Sequence, residues 1–545
     1  MTENPALTAG FNVAEAWNAL ERAQDAAPEA ITGLLMHPHV GAWIAYALRR
    51  HRGGTSSDAP IAHDFGQLTA LALAAAALAG QDFTTRVPLR DGRANVPCFG
   101  MAHFDGAAGW DTAEAGTTGG RLWLSHGGTR IDVPASGDGD GWYALRRVTA
   151  GDGPRLSVWL DDLDPLRDLA DPVAPARLSA AELSRWTELI TDAWSILCRV
   201  NPEMAAAMEV GVTSLVPLPV NDGWDTRSAS TGDAFGAIMC SLPPDAVTLA
   251  VSLAHEFMHI KLGGLMHLVP LMGAGGEPTL YAPWRDDPRP PGGLLQGVYA
   301  FAGIADFWRR YLRQAGPDEA AIVEFEYAYA RSQAQEGLAT AQAAPELTEA
   351  GRRFTDALGA ELASWPRDET PGSAAELARL VADAHRAGWR IRHCRPDPAD
   401  IETLRDALRA AAPVTSRVRA STVRPDPAMR HWSQGRLGLA RRRIVAPDRF
   451  EASPGEAWGA GLFPADLALF RGDARTAVRE FGELVAEDPG RPDAWTGLGL
   501  ALRADGDKAA AAALLERPEI VAALYPGAGR SPRDLADWVG TEVLR

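Results

Sequence analysis

A mainly helical α+β fold is what this chain predicts, and three observations predict it. Apolar residues recur at three- and four-residue spacing along most of its 545 residues. The spacing changes toward two only in residues 84–160, and a stretch near the C-terminus repeats itself at the interval of a helix pair. At about 150 residues per domain the length asks for roughly three or four units. Changes of pattern place them at 1–175, N-terminal helices plus a strand-rich part; 176–345, the core; 346–445, a helical extension; and 446–545, a repeat module.

Residues 12–50 and 64–80 carry the opening helices. His37-Pro-His39 interrupts them; proline favours an extended backbone before it, so the two histidines read as turn or surface residues rather than ligands. The alanine-rich run 68–79 falls short of the roughly 20 residues that span a bilayer and reads as a buried helix. Strand candidates follow at Val87, Asn95, Arg121, Thr129, Trp142 and Leu156, separated by Asp-Gly and Gly-Gly turns. They predict a small antiparallel sheet, closed by Asp161-Asp-Leu-Asp-Pro-Leu-Arg-Asp168 as a solvated acidic turn.

Ser179 followed three residues later by Glu182 reads as a capping box opening a second helical region. Residues 212–220 and 237–242 read as strands, and 249–262 as a buried helix with Asp245 as its N-cap candidate. That helix holds His255 and His259 four residues apart, with Glu256 between them: the H-E-x-x-H pattern. Positions i and i+4 project from one helix face about one turn apart, so two imidazoles there can close on one metal ion. Burying two histidines and a glutamate on a mostly apolar helix is costly without a metal or hydrogen-bonding partners. A strand leading into such a helix is the zincin arrangement, so the predicted core is a zincin-like metal helix next to a small antiparallel sheet.

Residues 273–293 are rich in Gly and Pro, which forbids a regular helix and stiffens the backbone. Such a loop serves either as a platform for substrate-orienting Tyr281, Arg285 and Arg289 or as a structural crossover with surface arginines. In the helix predicted for 294–314, apolar on nearly every side, Gln296 and Asp306 stand out; a buried amide needs partners, and Gln296 either supplies a ligand or ties two helices together. Residues 318–412 read as helical, and the arginine-rich stretch 430–443 as a solvated helix or linker face. Further on, Gly472-Asp473 aligns with Gly506-Asp507, an offset of 506 − 472 = 34 residues. This is the tetratricopeptide period, predicting a tetratricopeptide-like helical module whose concave face suits a partner peptide.

A net charge of −17 argues against a general nucleic-acid binder. The four cysteines lack any CxxC spacing, so neither a disulfide framework nor a cysteine metal site is indicated. No basic stretch followed by an apolar core stands near Met1, so a cytoplasmic protein without membrane partners is expected.

Three uses of H-E-x-x-H compete. In a zinc peptidase Glu256 activates water; the metzincin extension would put Gly at 262 and His at 265, where this chain has Leu262 and Leu265. Glu324, Glu326 and Glu336 are the downstream carboxylates available as a third zinc ligand. In an iron oxygenase, two histidines and one further protein ligand leave open positions for an oxoacid and dioxygen. In a non-catalytic peptide-binding scaffold, the repeat is the working part.

The ordered blocks Ala234-Phe-Gly-Ala-Ile, Ala254-His-Glu-Phe-Met-His-Ile-Lys-Leu, Tyr281-Ala-Pro-Trp-Arg-Asp-Asp-Pro-Arg-Pro, Gly293-Leu-Leu-Gln-Gly-Val-Tyr-Ala and Trp389-Arg-Ile-Arg-His-Cys-Arg-Pro-Asp-Pro favour the second use. Over roughly residues 30–415 the chain resembles the HExxH-motif peptide-modification proteins of bacterial ribosomal peptide natural-product (RiPP) clusters, described as iron- and 2-oxoglutarate-dependent peptide β-hydroxylases. The resemblance implies Fe(II) and 2-oxoglutarate as cofactors and a precursor peptide as substrate, in the company of other maturation enzymes. It implies His255 and His259 as iron ligands and Glu256 as a ligand or proton-handling group. It points to Gln296 as third ligand, with Glu256 its competitor, and to Arg285 for the distal carboxylate of 2-oxoglutarate, helped by Tyr281 and Arg289.

Overall fold

Prolines and side-chain caps set where the helices begin. The computed structural model describes residues 7–167, 172–219, 227–366, 374–415, 417–425, 434–452 and 462–544. The fold is mainly helical α+β, in two units, Met1–Gly264 and Leu265–Arg545.

The first unit opens with α1 (Val13–Ala26), α2 (Pro28–Leu35), α3 (Pro38–His51) and α4 (Ile61–Leu78). By length and composition α4 alone among the described helices is apolar enough to cross a bilayer, but it is largely buried, packing on α1 and on the first strand of the neighbouring sheet. That sheet comprises β1 (Phe83–Arg90), β2 (Arg93–Val96), β3 (Gly100–His103), β4 (Trp110–Thr118), β5 (Arg121–His126), β6 (Thr129–Asp132) and β7 (Trp142–Ala144). Its order is β6-β5-β4-β1-β2-β3-β7, antiparallel throughout. Strands β3 and β4 have too little bulk to read as strands in the sequence. Small residues are required there: a side chain at Gly116 would meet the Trp123 ring at 2.6 Å.

A second sheet holds β8 (Arg146–Ala150), β9 (Leu156–Leu160), β10 (Ser214–Leu218), β11 (Ser228–Ala229) and β12 (Ala237–Ser241), in the order β11-β12-β10-β9-β8. Leu156–Leu160 does not extend the antiparallel sheet but runs parallel to β10, which runs parallel to β12. The crossover from β9 to β10 passes through α5 (Ala180–Val200) and α6 (Pro202–Gly211), and α5 starts with both bonds of the Ser179/Glu182 capping box. All five residues of β12 are buried, as a strand between neighbours requires. The chain then turns into α7 (Ala246–Leu268), where Asp245 Oδ1 accepts from Thr248 N at 2.8 Å.

Two further expectations fail in this unit. His37 and His39 are 4% and 8% exposed, and the acidic loop after β9 is no solvated turn: Asp161, Asp162 and Asp164 are 0%, 1% and 5% exposed. Pro38 does not merely turn the chain but starts α3, with His37 as its N-cap. Both histidines are thereby carried into the interior.

In the second unit, α8 (Pro291–Tyr311) packs on α9 (Pro317–Gln342). The Trp284 indole lies against both: a Cβ at Gly297 would stand 2.2 Å from it and one at Gly337 2.9 Å. The chain continues through α10 (Glu349–Ser364), α11 (Ala374–His393), the short strand β13 (Cys394–Arg395), α12 (Pro398–Ala410) and β14 (Thr422–Val423), which pairs with β13. Helices α13 (Gly435–Val445) and α14 (Pro447–Ala452) follow. Of the arginines of α13, Arg436 is not on a solvated face, its Nε pairing with Asp466 Oδ1 at 2.7 Å, whereas Arg441 stays partly exposed while its Nε meets Glu326 Oε1 at 2.6 Å. Residues 430–433 of that stretch lie outside the described residues.

The repeat becomes α15 (Pro464–Phe470) and α16 (Ala474–Glu487), then α17 (Pro492–Ala504) and α18 (Lys508–Glu516), followed by α19 (Pro518–Leu524) and α20 (Pro532–Glu542). Gly472 and Gly506 take φ of +84° and +90° at equivalent turns, and Asp473 and Asp507 cap the helices that follow. The close approach of α16 to α17 depends on Gly497, where a Cβ would meet the Phe481 ring at 2.3 Å. Gly497→Ala therefore overpacks a fully buried contact and is expected to destabilise by about 1–3 kcal/mol, read as a lowered urea midpoint with an unchanged m-value.

Candidate metal centre

Helical pitch brings His255 and His259 together on α7, their ring centroids 4.8 Å apart and their planes at 83°. Burial, reinforced by neighbouring His259, lowers the His255 pKa to about 3. It is therefore a neutral imidazole at physiological pH, the form that ligates metals.

Glu256 faces the sheet. It is 2% exposed, and each carboxylate oxygen accepts a serine hydroxyl: Ser228 Oγ to Oε1 and Ser230 Oγ to Oε2, both at 2.7 Å. Pairing of β11 with β12 sets these serines beside α7, and positions i and i+2 of an extended chain share a face. His255 Nε2 lies 3.9 Å from Glu256 Oε1, beyond hydrogen-bond distance. Ser228 and Ser230 are the partners of Glu256 that the sequence does not single out; their only signal is two hydroxyls two residues apart before a strand. Among the described residues no group of three or more His, Cys, Asp or Glu side chains is arranged to hold a metal ion. The histidine pair by itself therefore offers two ligand atoms, without a third side chain of these types placed to join it among the described residues.

The other candidate residues belong to the second unit. An isolated bridge between Leu280 and Arg289 closes the Pro-rich loop. Arg285 Nε donates to Asp287 Oδ1 at 2.7 Å and Arg289 Nη1 to Oδ2 at 3.3 Å. Burial pushes the Asp287 pKa up, but Arg285, by hydrogen bond and charge, and then Arg289 hold it below the usual carboxylate value. The two arginines thus already share a carboxylate. Tyr281 is half-buried, its hydroxyl 2.8 Å from His385 Nδ1 and its ring 5.1 Å from that of Trp389, and desolvation keeps its proton on well above the ordinary phenol range. Gln296 Nε2 donates to Met266 Sδ at 3.5 Å. Of the downstream glutamates, Glu336 pairs with Arg386 and Glu326 with Arg441. The blocks beginning at Tyr281 and Trp389 pack on each other, His393 Nε2 also donating to the Asp286 carbonyl at 2.7 Å.

A second polar cluster in the first unit went unread in the sequence. The His39 ring lies between two carboxylates, Nε2 against Asp161 Oδ2 and Nδ1 2.9 Å from Asp164 Oδ2, which also accepts from Asn95 Nδ2 at 3.0 Å. Burial alone would lower the His39 pKa, but Asp161 and then Asp164 raise it to about 9, so this imidazole is cationic. Burial and that neighbouring cation lower the His37 pKa to about 2. The pattern H-P-H, with D-D-x-D after a later strand, is the trace this cluster leaves in the sequence.

Fold and site together define a mainly helical α+β protein with a two-histidine helix beside a mixed sheet. Comparison of the chain with protein-family models and with curated proteins finds no match.

Proposed function

We propose that this chain is an Fe(II)- and 2-oxoglutarate-dependent dioxygenase that hydroxylates a side-chain β-carbon in a ribosomally made precursor peptide. The observation that carries this reading over proteolysis is the state of Glu256. A zinc peptidase needs that carboxylate to take a proton from metal-bound water, whereas here both its oxygens are engaged by serine hydroxyls. When bound, iron and the oxoacid supply dioxygen activation, one oxygen leaving in succinate and the other entering the substrate.

The chain's own residues then have limited tasks. His255 and His259 would hold the metal, His255 as a neutral imidazole. Glu256 is a positioning residue that ties α7 to β11, while helical pitch sets the two rings on one face. In the second unit, the fork of Arg285 and Arg289 around Asp287 offers the guanidinium geometry that recognises carboxylates. The α7 core is read as zincin-like, and the helix pairs α15–α18 as a tetratricopeptide-like holder for a peptide.

Anaerobic loading with Fe(II) and 2-oxoglutarate, then air and the peptide encoded beside this chain, tests the reading. Succinate and a peptide gaining one oxygen are expected, and His255→Ala loses both. Glu256→Gln keeps one accepted and one donated bond to the serines, so it retains hydroxylation, whereas a peptidase would lose its base. Peptide fragments without succinate would reject the hydroxylase.

A further inference from the structure

Strand β8 (Arg146–Ala150) ends the second sheet, and its outer edge meets no other strand. What that edge presents follows from the pairing on the inner side. Trp159 N donates to the Thr213 carbonyl and Asp161 N to the Leu215 carbonyl, both at 2.9 Å, so these residues turn their backbone groups toward β10. Alternation then turns Leu156, Val158 and Leu160 toward β8, opposite Ala150, Val148 and Arg146. Arg147 and Thr149, both exposed, are left with N–H and C=O groups directed away from the sheet. Among the described residues no bond meets these four groups.

Edge strands are commonly blunted by lysine, proline, a bulge or a covering segment. Strand β8 has no lysine, proline or bulge, and its two arginines are drawn back over the sheet faces. Arg146 Nη1 donates to the Leu178 carbonyl at 2.9 Å; Arg147 Nε donates to Ser157 Oγ at 2.8 Å, its guanidinium 4.6 Å from the centre of the Trp159 ring. Where a covering segment would lie, an open groove of about 520 Å³ runs between β8 and α5, with Leu183 and Thr187 on its far wall. That volume holds a few residues of extended chain. Donors and acceptors two residues apart on a strand are met in register by another extended backbone, whereas the backbone groups of a helix are already bonded to one another. Charge narrows the occupant further. Arg146 lies near Asp138 and Asp162, but Arg147 enters no ion pair among the described residues. A second copy of β8 would bring two more arginines to this edge, and like charges across a strand pair repel, whereas a carboxylate opposite Arg147 complements it.

We propose that an extended peptide adds to β8 as an antiparallel strand, with an acidic side chain on Arg147 and an apolar one against Leu183. In an antiparallel pair the residue opposite Arg147 exchanges both backbone bonds with it and shares its face, so the acidic residues are also the ones that make the hydrogen bonds. The residues between them turn to the face of Val148, which is buried where α5 packs on β8. The site needs no metal and rests on no step of the chemistry proposed for α7.

The test titrates the heptapeptide Ser-Val-Glu-Val-Glu-Val-Ser into the metal-free full-length chain by calorimetry. N-methylation of both glutamates removes the N–H groups that face β8 and is expected to weaken binding about tenfold, whereas N-methylation of two valines leaves the affinity within about twofold. Lysine in place of both glutamates is expected to weaken it about fivefold, and Arg147→Glu to reverse that preference. The methylated pair is read on the unaltered chain, so the outcome does not depend on a variant that folds. Equal loss from both methylated peptides, loss from the valine set alone, loss from neither, no response to Arg147→Glu, or no binding at all would overturn the proposal. A dimer of the chain that displaces the peptide would assign the edge to a second copy and overturn it too. Peptide binding without succinate formation in the iron-loaded chain sinks the hydroxylase and leaves the strand site; succinate formation with no heptapeptide bound does the reverse.

Discussion

Replacing Ser228 and Ser230 together by alanine is expected to destabilise the chain by about 3–5 kcal/mol, the scale for a buried charge stripped of its partners. Glu256 is 2% exposed, and the two hydroxyls are the donors its oxygens meet. Hydrogen bonds to a charged group contribute about 1.5–3 kcal/mol each, so either serine alone accounts for part of the loss. The control is the same pair of substitutions in a Glu256→Met background. There the carboxylate is gone, and removing the hydroxyls costs less than about 1 kcal/mol because no charge is left unpaired. Urea melts of the four proteins close the cycle. An equal loss in both backgrounds would mean that the serines do not hold Glu256, and the argument against a peptidase base would go with it.

How much could be read in advance follows from where each partner lies in the chain. The α7 histidines were legible because helical pitch alone brings i and i+4 together, and the repeat because Gly472-Asp473 and Gly506-Asp507 encode their own turns and caps. Ser228 and Ser230 were not, because only the sheet pairing of β11 carries them to Glu256. His39 read as a turn residue because its local sequence is that of a turn; what encloses it is a loop from a distant strand. Strand β9 had the right period but the wrong partner, since alternation of side chains does not say which sheet a strand joins. In unit two, Arg436 looked solvated because its carboxylate, Asp466, sits on another helix. Local geometry was readable, and long-range pairing of charge was not.

The His39 cluster carries the second large expected effect, and it is tied to pH. His39 has a folded pKa of about 9 against 6.5 for the free side chain, so the protonated form is stabilised by folding. Its contribution is fully present below pH 6.5 and is lost as pH rises through about 9, a decline worth on the order of 3 kcal/mol. His37 takes no part, being neutral throughout this range. The pKa of Asp161 is raised, by burial first, and that of Asp164 is lowered by His39 against the upward push of burial, so the two carboxyls bias stability with pH in opposite senses. His39→Gln keeps two donors on its amide but no charge, so Asp161 and Asp164 face each other without a cation, and a loss of about 3–5 kcal/mol follows at pH 6. By pH 9 the wild-type cation is itself half lost and the two proteins draw together. Urea midpoints at pH 6, 7.5 and 9 measure this convergence, and parallel declines would show that the imidazole between the two aspartates is not the group that titrates.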